Sequence, residues 1–200
     1  TLPLGQTETM SYDANGNLTK QTDARGNPTT HTYNSLGYRV LTTDALGNLL
    51  RYSYDAFGRM TRTFNEGPGG TILSETQWTH DNNGNKLTET DAVGRTQLMT
   101  YDAASNLLSR RDFDGNLTRF TYDLRNQLVT TTDAEGRVTT RTYDQRGNLV
   151  RTIDPTGGST QYTPDGAGNT IAARDPSGQT TRFSYDSAGN QTGITDPLGR

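Results

Sequence analysis

One stretch decides the fold of this chain: YDANGNL at residues 12–18. The same pattern returns as YDQRGNL at residues 143–149, and its tyrosine position recurs with a period of 21 residues. A pattern repeated at a fixed period indicates an array of one small structural unit, stacked or paired with its neighbours. Fold class can therefore be inferred here before any single residue indicates a function.

The tyrosine position, which we call the Tyr slot, predicts a ladder of side chains across the array. Its members are Tyr12, Tyr33, Tyr54, His80, Tyr101, Tyr122, Tyr143 and Tyr185, with Pro164 in the remaining slot. The residue two positions earlier is usually large, and the residue between them is always Ser or Thr. Alternation with a period of two is typical of a β-strand, with the large side chain and the tyrosine on one face.

Each unit contains the pattern Asp-x-x-Gly twice, which predicts a chain reversal every ten or eleven residues. Clear examples are Asp13 with Gly16, Asp23 with Gly26, Asp44 with Gly47, Asp91 with Gly94, and Asp133 with Gly136. Asp opens type I turns by accepting hydrogen bonds from backbone NH groups, which we expect two and three residues further on, and Gly adopts positive φ. Pro155, Pro176 and Pro197 stand at the second turn position, where proline suits this turn. Ser105 replaces the glycine, so we expect its turn to be looser or of another type.

The segments between turns have six or seven residues, the usual length of a strand. The sequence predicts an all-β fold, a continuous antiparallel meander of short hairpins with two strands per repeat. Residues 1–200 form a single array of about nine units, interpreted as a fragment of a longer shell. So long a sheet is expected to curl into a spiral or shell-like form, because open twisted sheets rarely exceed about ten strands.

The period fails once, where five extra residues separate Tyr54 from His80. We predict an insertion loop at residues 65–76, with a lengthened hairpin as the alternative. Insertions in repeat arrays usually lie in surface loops.

Composition excludes several classes of function. The chain has no Cys, so it carries neither disulfides nor zinc-thiolate sites. It has no apolar run of about 18 residues, so this segment is not expected to enter a membrane, and no secretion signal is visible in it. With 19 basic and 22 acidic residues, a pI near 5.3 and no basic stripe in the sequence, nucleic acid is not an expected partner.

The unit Tyr-Asp-x-x-Gly-Asn-Leu, as at residues 12–18 and 143–149, resembles the RHS or YD repeat family along essentially the whole chain. That family includes the shells of bacterial Rhs polymorphic toxins, the C component of insecticidal toxin complexes, and the YD shell of teneurins. The resemblance implies a non-enzymatic segment of a β-sheet shell that encloses a C-terminal toxin domain, in a bacterial secreted, type VI-like effector. It implies the rest of the shell and the toxin as partners, with secretion or chaperone proteins as further ones. The location implied is extracellular, after delivery from a bacterial cell.

No catalytic, cofactor-binding or metal-binding residues are predicted. The turn aspartates lack the Gly-rich nine-residue spacing of calcium-binding β-rolls, and Asp112 and Asp114 lack the other ligands of an EF-hand loop. His31 and His80 replace aromatic residues in repeat positions, so they are interpreted as ladder residues. We therefore expect the chain not to be an enzyme.

An alternative function is a cell-surface adhesion or carbohydrate-binding module. Aromatic rings can stack on sugars, and the cluster to watch is Tyr52, Tyr54, Trp78 and His80, beside the insertion. Repeated aromatics also pack against one another across strands, which favours the structural interpretation. The array is further expected to leave an unpaired edge strand at each end, open to adjoining shell segments or to copies of itself.

Overall fold

The structure, a computed structural model, describes residues 7–67 and 69–200, and it confirms the all-β prediction. No helix in this part of the chain is long and apolar enough to cross a membrane. The described residues form eighteen strands: β1 (Thr9–Tyr12), β2 (Leu18–Thr22), β3 (Pro28–Tyr33), β4 (Arg39–Thr43), β5 (Leu49–Tyr54), β6 (Met60–Glu66), β7 (Ile72–His80), β8 (Lys86–Thr90), β9 (Thr96–Tyr101), β10 (Leu107–Arg111), β11 (Leu117–Tyr122), β12 (Leu128–Thr132), β13 (Val138–Tyr143), β14 (Leu149–Ile153), β15 (Ser159–Pro164), β16 (Thr170–Arg174), β17 (Thr180–Tyr185) and β18 (Gln191–Thr195).

The strands follow one another in chain order in a single antiparallel meander, as predicted from the spacing of the turns. By contacts the chain divides into two compact units, Thr1–Leu98 (unit 1) and Met99–Arg200 (unit 2). Each unit is described separately below. Within each unit, a described strand contacts only the strands that precede and follow it in the chain.

The two faces of each unit differ in chemistry, as the alternation of residues predicted. In β11, Phe120 and Tyr122 are half-buried, whereas Arg119 and Thr121 are exposed. We call the first side the Tyr face and the second the hydroxyl face. On the hydroxyl face Ser and Thr pair across strands, and the Oγ1 atoms of Thr121 and Thr130 lie 2.6 Å apart. Such pairs add a modest stabilisation to neighbouring strands.

Neither unit has a conventional hydrophobic core. Among the described residues the only buried hydrophobic side chain is that of Met99, which is 7% exposed. Aliphatic residues are scarce and each strand is covered only by its two neighbours, so apolar burial is partial everywhere. Stability must therefore come largely from hydrogen bonds in the ladder and the turns, together with partial burial on the Tyr face.

A β-bulge just before the Tyr slot brings the tyrosine opposite the residue six positions later. The register pairs Tyr12 with Leu18, Tyr54 with Met60, and Tyr143 with Leu149, each after a shift of one residue. The returning strand therefore places an apolar residue opposite each of these tyrosines. A bulge of this kind increases local twist and redirects a side chain.

Residues 65–76, predicted as an insertion loop, are mostly strand in the structure. β6 continues to Glu66 and β7 begins at Ile72, and Asn65 pairs with Ser74 across the hairpin. The extra residues lengthen β6 to seven and β7 to nine residues, so their backbone groups stay paired instead of being left to solvent. The lengthened hairpin is the correct alternative.

Candidate functional site

The turns that close the hairpins share one hydrogen-bonding pattern, seen clearly at Asp144. Its Oδ1 accepts hydrogen bonds from the backbone NH groups of Arg146 and Asn148, each at 2.9 Å. The NH of Gly147 donates instead to the backbone oxygen of Asp144, at 3.1 Å. The prediction of carboxylate bonds two and three residues further on is therefore wrong in its second part. The donor lies four residues on, because the turn itself uses the NH of the third.

Ser105 also departs from its prediction. Its φ is 67°, its NH donates to the oxygen of Asp102 at 3.1 Å, and the carboxylate of Asp102 accepts the same two backbone donors as elsewhere. Asn126, at the equivalent position of another turn, has φ of 61°. The expectation of a looser turn at Ser105 is wrong, because the hydrogen bonds of the aspartate hold a non-Gly residue in this conformation.

The residue at the fifth turn position completes the bonding of the aspartate. Asn148 donates from its side-chain amide to Oδ2 of Asp144, at 2.9 Å. This side-chain bond, with the backbone NH of Asn148, holds the pKa of the Asp144 carboxyl below its usual range. The same cause lowers the pKa of a set of turn aspartates: Asp13, Asp23, Asp44, Asp81, Asp102, Asp112, Asp165 and Asp186. These carboxylates are ionised at neutral pH and occupied as turn acceptors.

Five tyrosine hydroxyls each join one repeat to the repeat before it. The Oη of Tyr143 donates to the backbone oxygen of Leu128, fifteen residues earlier, at 2.9 Å. The bond recurs at the same separation: Tyr33 to Leu18, Tyr54 to Arg39, Tyr122 to Leu107, and Tyr185 to Thr170. Each acceptor is the first residue of a strand. The prediction of a packing ladder missed this hydrogen bond, although a hydroxyl retained at a fixed position was a signal for it.

A second series of contacts runs along the turns that follow the Tyr slot, which we call the Tyr rim. Here the fifth turn residue reaches the next turn of the rim, twenty residues later. Gln127 donates to the oxygen of Gly147 at 2.9 Å, and Asn106 donates to the side-chain oxygen of Asn126 at 2.9 Å. A Cβ at Gly168 would lie 2.9 Å from Oδ1 of Asn148. The Tyr rim is therefore held by polar contacts between successive repeats.

In unit 1 Arg59 makes a polar contact of this kind with the backbone oxygen of Asp81, but at one turn an aromatic pair takes its place. The rings of Tyr38 and Tyr54 stack with centroids 5.0 Å apart and an interplanar angle of 27°. Tyr38 is the fifth residue of the turn that begins at Asn34. The single side-chain oxygen of Asn34 accepts the backbone NH of Tyr38, so Asn34 has no second oxygen to accept a bond from a fifth-position side chain, as an aspartate would. Its hydroxyl covers Gly58, where a Cβ would lie only 2.2 Å from Oη. Sequence reasoning missed Tyr38, and the signal was an aromatic residue where Asn or Arg is usual.

The structure does not bring the predicted binding cluster together. Tyr52 and Tyr54 lie on β5, whereas Trp78 and His80 lie on β7, and β6 runs between the two pairs. Of the cluster only Tyr54 stacks on another aromatic ring in the described part of unit 1, and its partner is Tyr38, which was not predicted. Nearby, Phe57 is 75% exposed and carries the guanidinium of Arg59 at 5.0 Å from its ring.

The remaining ladder residues have individual environments. Tyr12 is exposed and its Oη lies 3.3 Å from Sδ of Met10. His31 lies 3.0 Å from Oγ1 of Thr42 on the adjacent strand, and burial, followed by the charge of Arg39, lowers its pKa. His80 is paired in register with Lys86, and its Nδ1 is buried without a hydrogen-bond partner in the described part of the chain. Both histidines therefore lie at ladder positions within the sheet.

Charge is distributed unevenly between faces and rims. In unit 2 the acidic residues all lie in the turns, whereas the strands carry arginines, among them Arg119, Arg151 and Arg182 on the hydroxyl face. No basic stripe is visible along the sequence, because turn acids and strand arginines alternate along the chain and separate only when the sheet forms. Within residues 7–67 and 69–200, no group of three or more His, Asp or Glu side chains is arranged to hold a metal ion.

The repeat geometry matches a known family. The defining pattern of the RHS repeat matches residues 1–28, 12–49, 33–68, 80–117, 101–138, 122–160, 143–176 and 165–200. The chain belongs to the RHS repeat family. The unmatched residues, 69–79, coincide with the lengthened hairpin, which is where this chain departs from the usual RHS repeat period.

Solved structures show the same fold at low sequence identity. The chain is 19% identical to TcdB2-TccC3 determined without its hypervariable C-terminal region, with a TM-score of 0.60. It is 20% identical to TcdB2-TccC3 itself, with a TM-score of 0.58. It is 19% identical to the Photorhabdus luminescens Tc holotoxin pore with a mutated TccC3, with a TM-score of 0.53. These alignments cover 94% of this RHS repeat chain but only 12–14% of the other chains. Among curated proteins, no sequence matches significantly.

Proposed function

We propose that this RHS repeat array is a non-enzymatic wall segment of a protein shell that encloses a C-terminal toxin domain. One observation carries the proposal: each unit is a single-layer sheet whose described strands contact only their neighbours along the chain. A sheet without a second layer leaves both faces accessible, so it suits a partition between two spaces better than a compact catalytic domain. The contacts between successive repeats stiffen such a wall along the Tyr rim.

The similar structures are the basis for our proposal of what kind of protein the parent is. One of them, TcdB2-TccC3, was determined without its hypervariable C-terminal region. By analogy, this array would curve with adjoining repeats into a closed shell around a variable toxin. The parent would be a bacterial, secreted effector of type VI kind, acting outside the producing cell after delivery. Its partners would be the rest of the shell, the toxin, and secretion or chaperone proteins.

The absence of enzymatic activity is part of the proposal. Where the pKa of a turn carboxylate is shifted, the shift is downward, as at Asp144 and Asp165. A general acid that works near neutral pH needs a raised pKa, usually from burial in an apolar pocket. Carbohydrate binding by Tyr52, Tyr54, Trp78 and His80 stays a prediction that a glycan array can test. Their separation by β6 makes one continuous stacking platform unfavourable.

A pair of matched proline variants tests the wall role in the parent polypeptide. Gly166 occupies the second turn position, where Pro155 and Pro176 occur naturally, so Gly166→Pro should leave the turn intact. Gly168, two residues later, has φ of 92°, which proline cannot adopt, so Gly168→Pro should open the hairpin. The toxin domain should resist added protease in the wild type and in Gly166→Pro, and be cleaved in Gly168→Pro. Equal protease sensitivity of that domain in all three proteins would refute the proposal.

A further inference from the structure

The strands of unit 2 carry positive charge only. Their charged residues are seven arginines: Arg110, Arg111, Arg119, Arg141, Arg151, Arg174 and Arg182. The acidic residues of unit 2 lie outside the strands: Asp102, Asp112, Asp114, Asp123, Asp133, Glu135, Asp144, Asp154, Asp165, Asp175, Asp186 and Asp196. The sheet therefore has a basic centre between two acidic rims.

Three of these arginines form a group on the hydroxyl face. Arg151 and Arg174 are both paired in register with Gln161, so they lie on either side of the strand between them. Arg182 is paired with Ala172, two residues before Arg174, which places it diagonally beside that arginine. Neighbouring strands are about 4.8 Å apart, so the backbones of Arg151 and Arg174 are separated by roughly 10 Å. We call Arg151, Arg174 and Arg182 the arginine group.

The arginine group is not neutralised within the described part of the chain. No ion pair joins any of the three guanidinium groups to a carboxylate there. Arg151 donates to Oγ of Ser159 at 2.8 Å, and Arg174 donates to the oxygen of Gly178 at 3.3 Å. All three residues are exposed. Several of their donors therefore remain available to an external acceptor.

A shallow recess lies beside the arginine group. It has a volume of about 160 Å³ and is lined by Ser159, Gln161, Arg174, Asp175, Pro176 and Gly178. Hydroxyl, amide and guanidinium donors meet in this recess, and Asp175 marks the side where the acidic rim begins. A carboxylate can enter this recess with one oxygen beside Arg174 and its second oxygen toward a neighbouring arginine.

We propose that the hydroxyl face of unit 2 docks an acidic segment of a polypeptide partner, whose carboxylates pair with Arg151, Arg174 and Arg182. Arginine binds carboxylate through two parallel hydrogen bonds, and such pairs between partners fix register and accelerate association. Carboxylates at alternate positions of an extended peptide are about 6.6 Å apart, a spacing that flexible arginine side chains on adjacent strands can match. This interaction goes beyond the wall role and does not depend on it.

Two features of the surface favour a polypeptide over nucleic acid. The aromatic residues on the strands of unit 2, such as Phe120 and Phe183, lie on the opposite, Tyr face, so the arginine group has no platform for stacking bases. The basic area is also bounded by aspartate-rich turns on both rims, which would repel a long, evenly charged polyanion. A short acidic segment can avoid both rims.

Binding of a defined probe to the full chain tests the docking proposal. The probe is a fluorescent peptide of about eight glutamates, which is long enough to cross the roughly 14 Å from β14 to β17. Its affinity is measured by fluorescence anisotropy at low salt, against Arg151→Gln/Arg174→Gln/Arg182→Gln. We expect affinity to fall by about tenfold or more in the triple variant, and to fall with added salt in the wild type.

A matched control removes arginines from the other face of the same unit. Arg110→Gln/Arg141→Gln should bind the peptide as the wild type does. The single variant Arg182→Glu, with the wild-type circular dichroism spectrum, tests the group again if the triple variant fails to fold, and should also weaken binding. Equal affinity of wild type and Arg182→Glu, or an equal loss in the control, would overturn the proposal. Tighter binding of an oligothymidylate with the same number of charges would overturn the choice of a polypeptide partner.

Discussion

In the lengthened hairpin of unit 1, Arg51 and Arg62 lie 3.1 and 2.8 Å from the carboxylates of Glu66 and Glu75 on neighbouring strands. The strand arginines of unit 2 have no such partners among the described residues, although they occupy the same kind of sheet. The tyrosine hydroxyl bonds over fifteen residues occur in both units, whereas the side-chain bonds over twenty residues along the Tyr rim occur in unit 2.

The difference shows how a repeat array adapts when its period is broken. Across the insertion the rim contact is kept with a changed separation: Arg59 donates to the backbone oxygen of Asp81, twenty-two residues later. Where the longer strands β6 and β7 project beyond the regular repeat, opposite charges placed diagonally across strands add further contacts. The regular unit leaves its arginines unpaired, and these become the candidate docking surface.

The largest expected effect is acid destabilisation, and it should be greater in unit 2. Nine aspartates of unit 2 have pKa values lowered by hydrogen bonds, against six in unit 1. A lowered folded-state pKa contributes stability that is complete above the unfolded value of about 3.9 and is lost as pH falls through the folded value. Urea unfolding followed at pH 7 and pH 3 measures the loss.

Two optical signals separate the units in this experiment. Trp78 is the only tryptophan of the chain and lies in unit 1, whereas far-ultraviolet circular dichroism reports both units. The dichroism midpoint should therefore fall further with acid than the tryptophan midpoint. Identical shifts, or a tryptophan signal that is lost first, would contradict the expected difference between the units.

Gly58→Ala should be more damaging than alanine at the other turn glycines, because it combines two costs. The positive φ of 78° costs an alanine about 1–2 kcal/mol. Its Cβ would also displace the hydroxyl of Tyr38 and disturb a stack with Tyr54 worth about 0.5–1.5 kcal/mol. Urea unfolding should show a total loss of about 2–3 kcal/mol.

Gly16→Ala is the matched control, since Gly16 has φ of 83° and no atom within 4 Å of a Cβ. It should show only the backbone cost. In a Tyr38→Ala background the excess cost at Gly58 should disappear. Equal losses at Gly58 and Gly16 in the wild-type background would mean that Tyr38 does not constrain the turn.

Tyr143→Phe tests the hydrogen bonds that are repeated in both units. Removing its hydroxyl leaves the oxygen of Leu128 without this donor, and a loss of about 0.5–1.5 kcal/mol in unfolding free energy is expected. Tyr162→Phe in the same unit should change stability by less, because no hydroxyl bond of Tyr162 is present in the described part of the chain. A similar loss in both variants would attribute the effect to ring packing rather than to the hydrogen bond.

The smallest expected effect contrasts the charges of the two units. Glu66→Gln breaks its ion pair with Arg51 and should lower stability by about 0.2–1 kcal/mol at low salt, the range for partly exposed pairs. Arg119→Gln in unit 2 should leave stability unchanged or raise it slightly, since it removes a positive charge without a carboxylate partner. In thermal melts at low salt, Glu66→Gln should lower the melting temperature, whereas Arg119→Gln should leave it unchanged or raise it. A destabilising effect at Arg119 equal to that at Glu66 would contradict the contrast.

The strands, the turns and their order can all be read from the amino-acid sequence. Strand period and turn chemistry are local properties: a tyrosine alternating with Ser or Thr, and an Asp-x-x-Gly corner, act over a few residues and need no distant partner. Even the ladder position of His80 followed from counting residues. The same counting misjudged residues 65–76, because it could not tell whether extra residues would pair with each other or hang free.

Which residues become neighbours across strands and rims is set only when the strands pair in the folded protein. The stacking of Tyr38 on Tyr54, the hydroxyl bond of Tyr143 to Leu128, and the separation of Trp78 from Tyr52 depend on register and bulges, which arise only when strands are paired. The arginine group depends on them too, since Arg151 and Arg182 are far apart in sequence and share a face only after the chain has reversed several times. Proximity across a sheet comes from hydrogen-bonded pairing, and a linear pattern carries that information only where its period is unbroken.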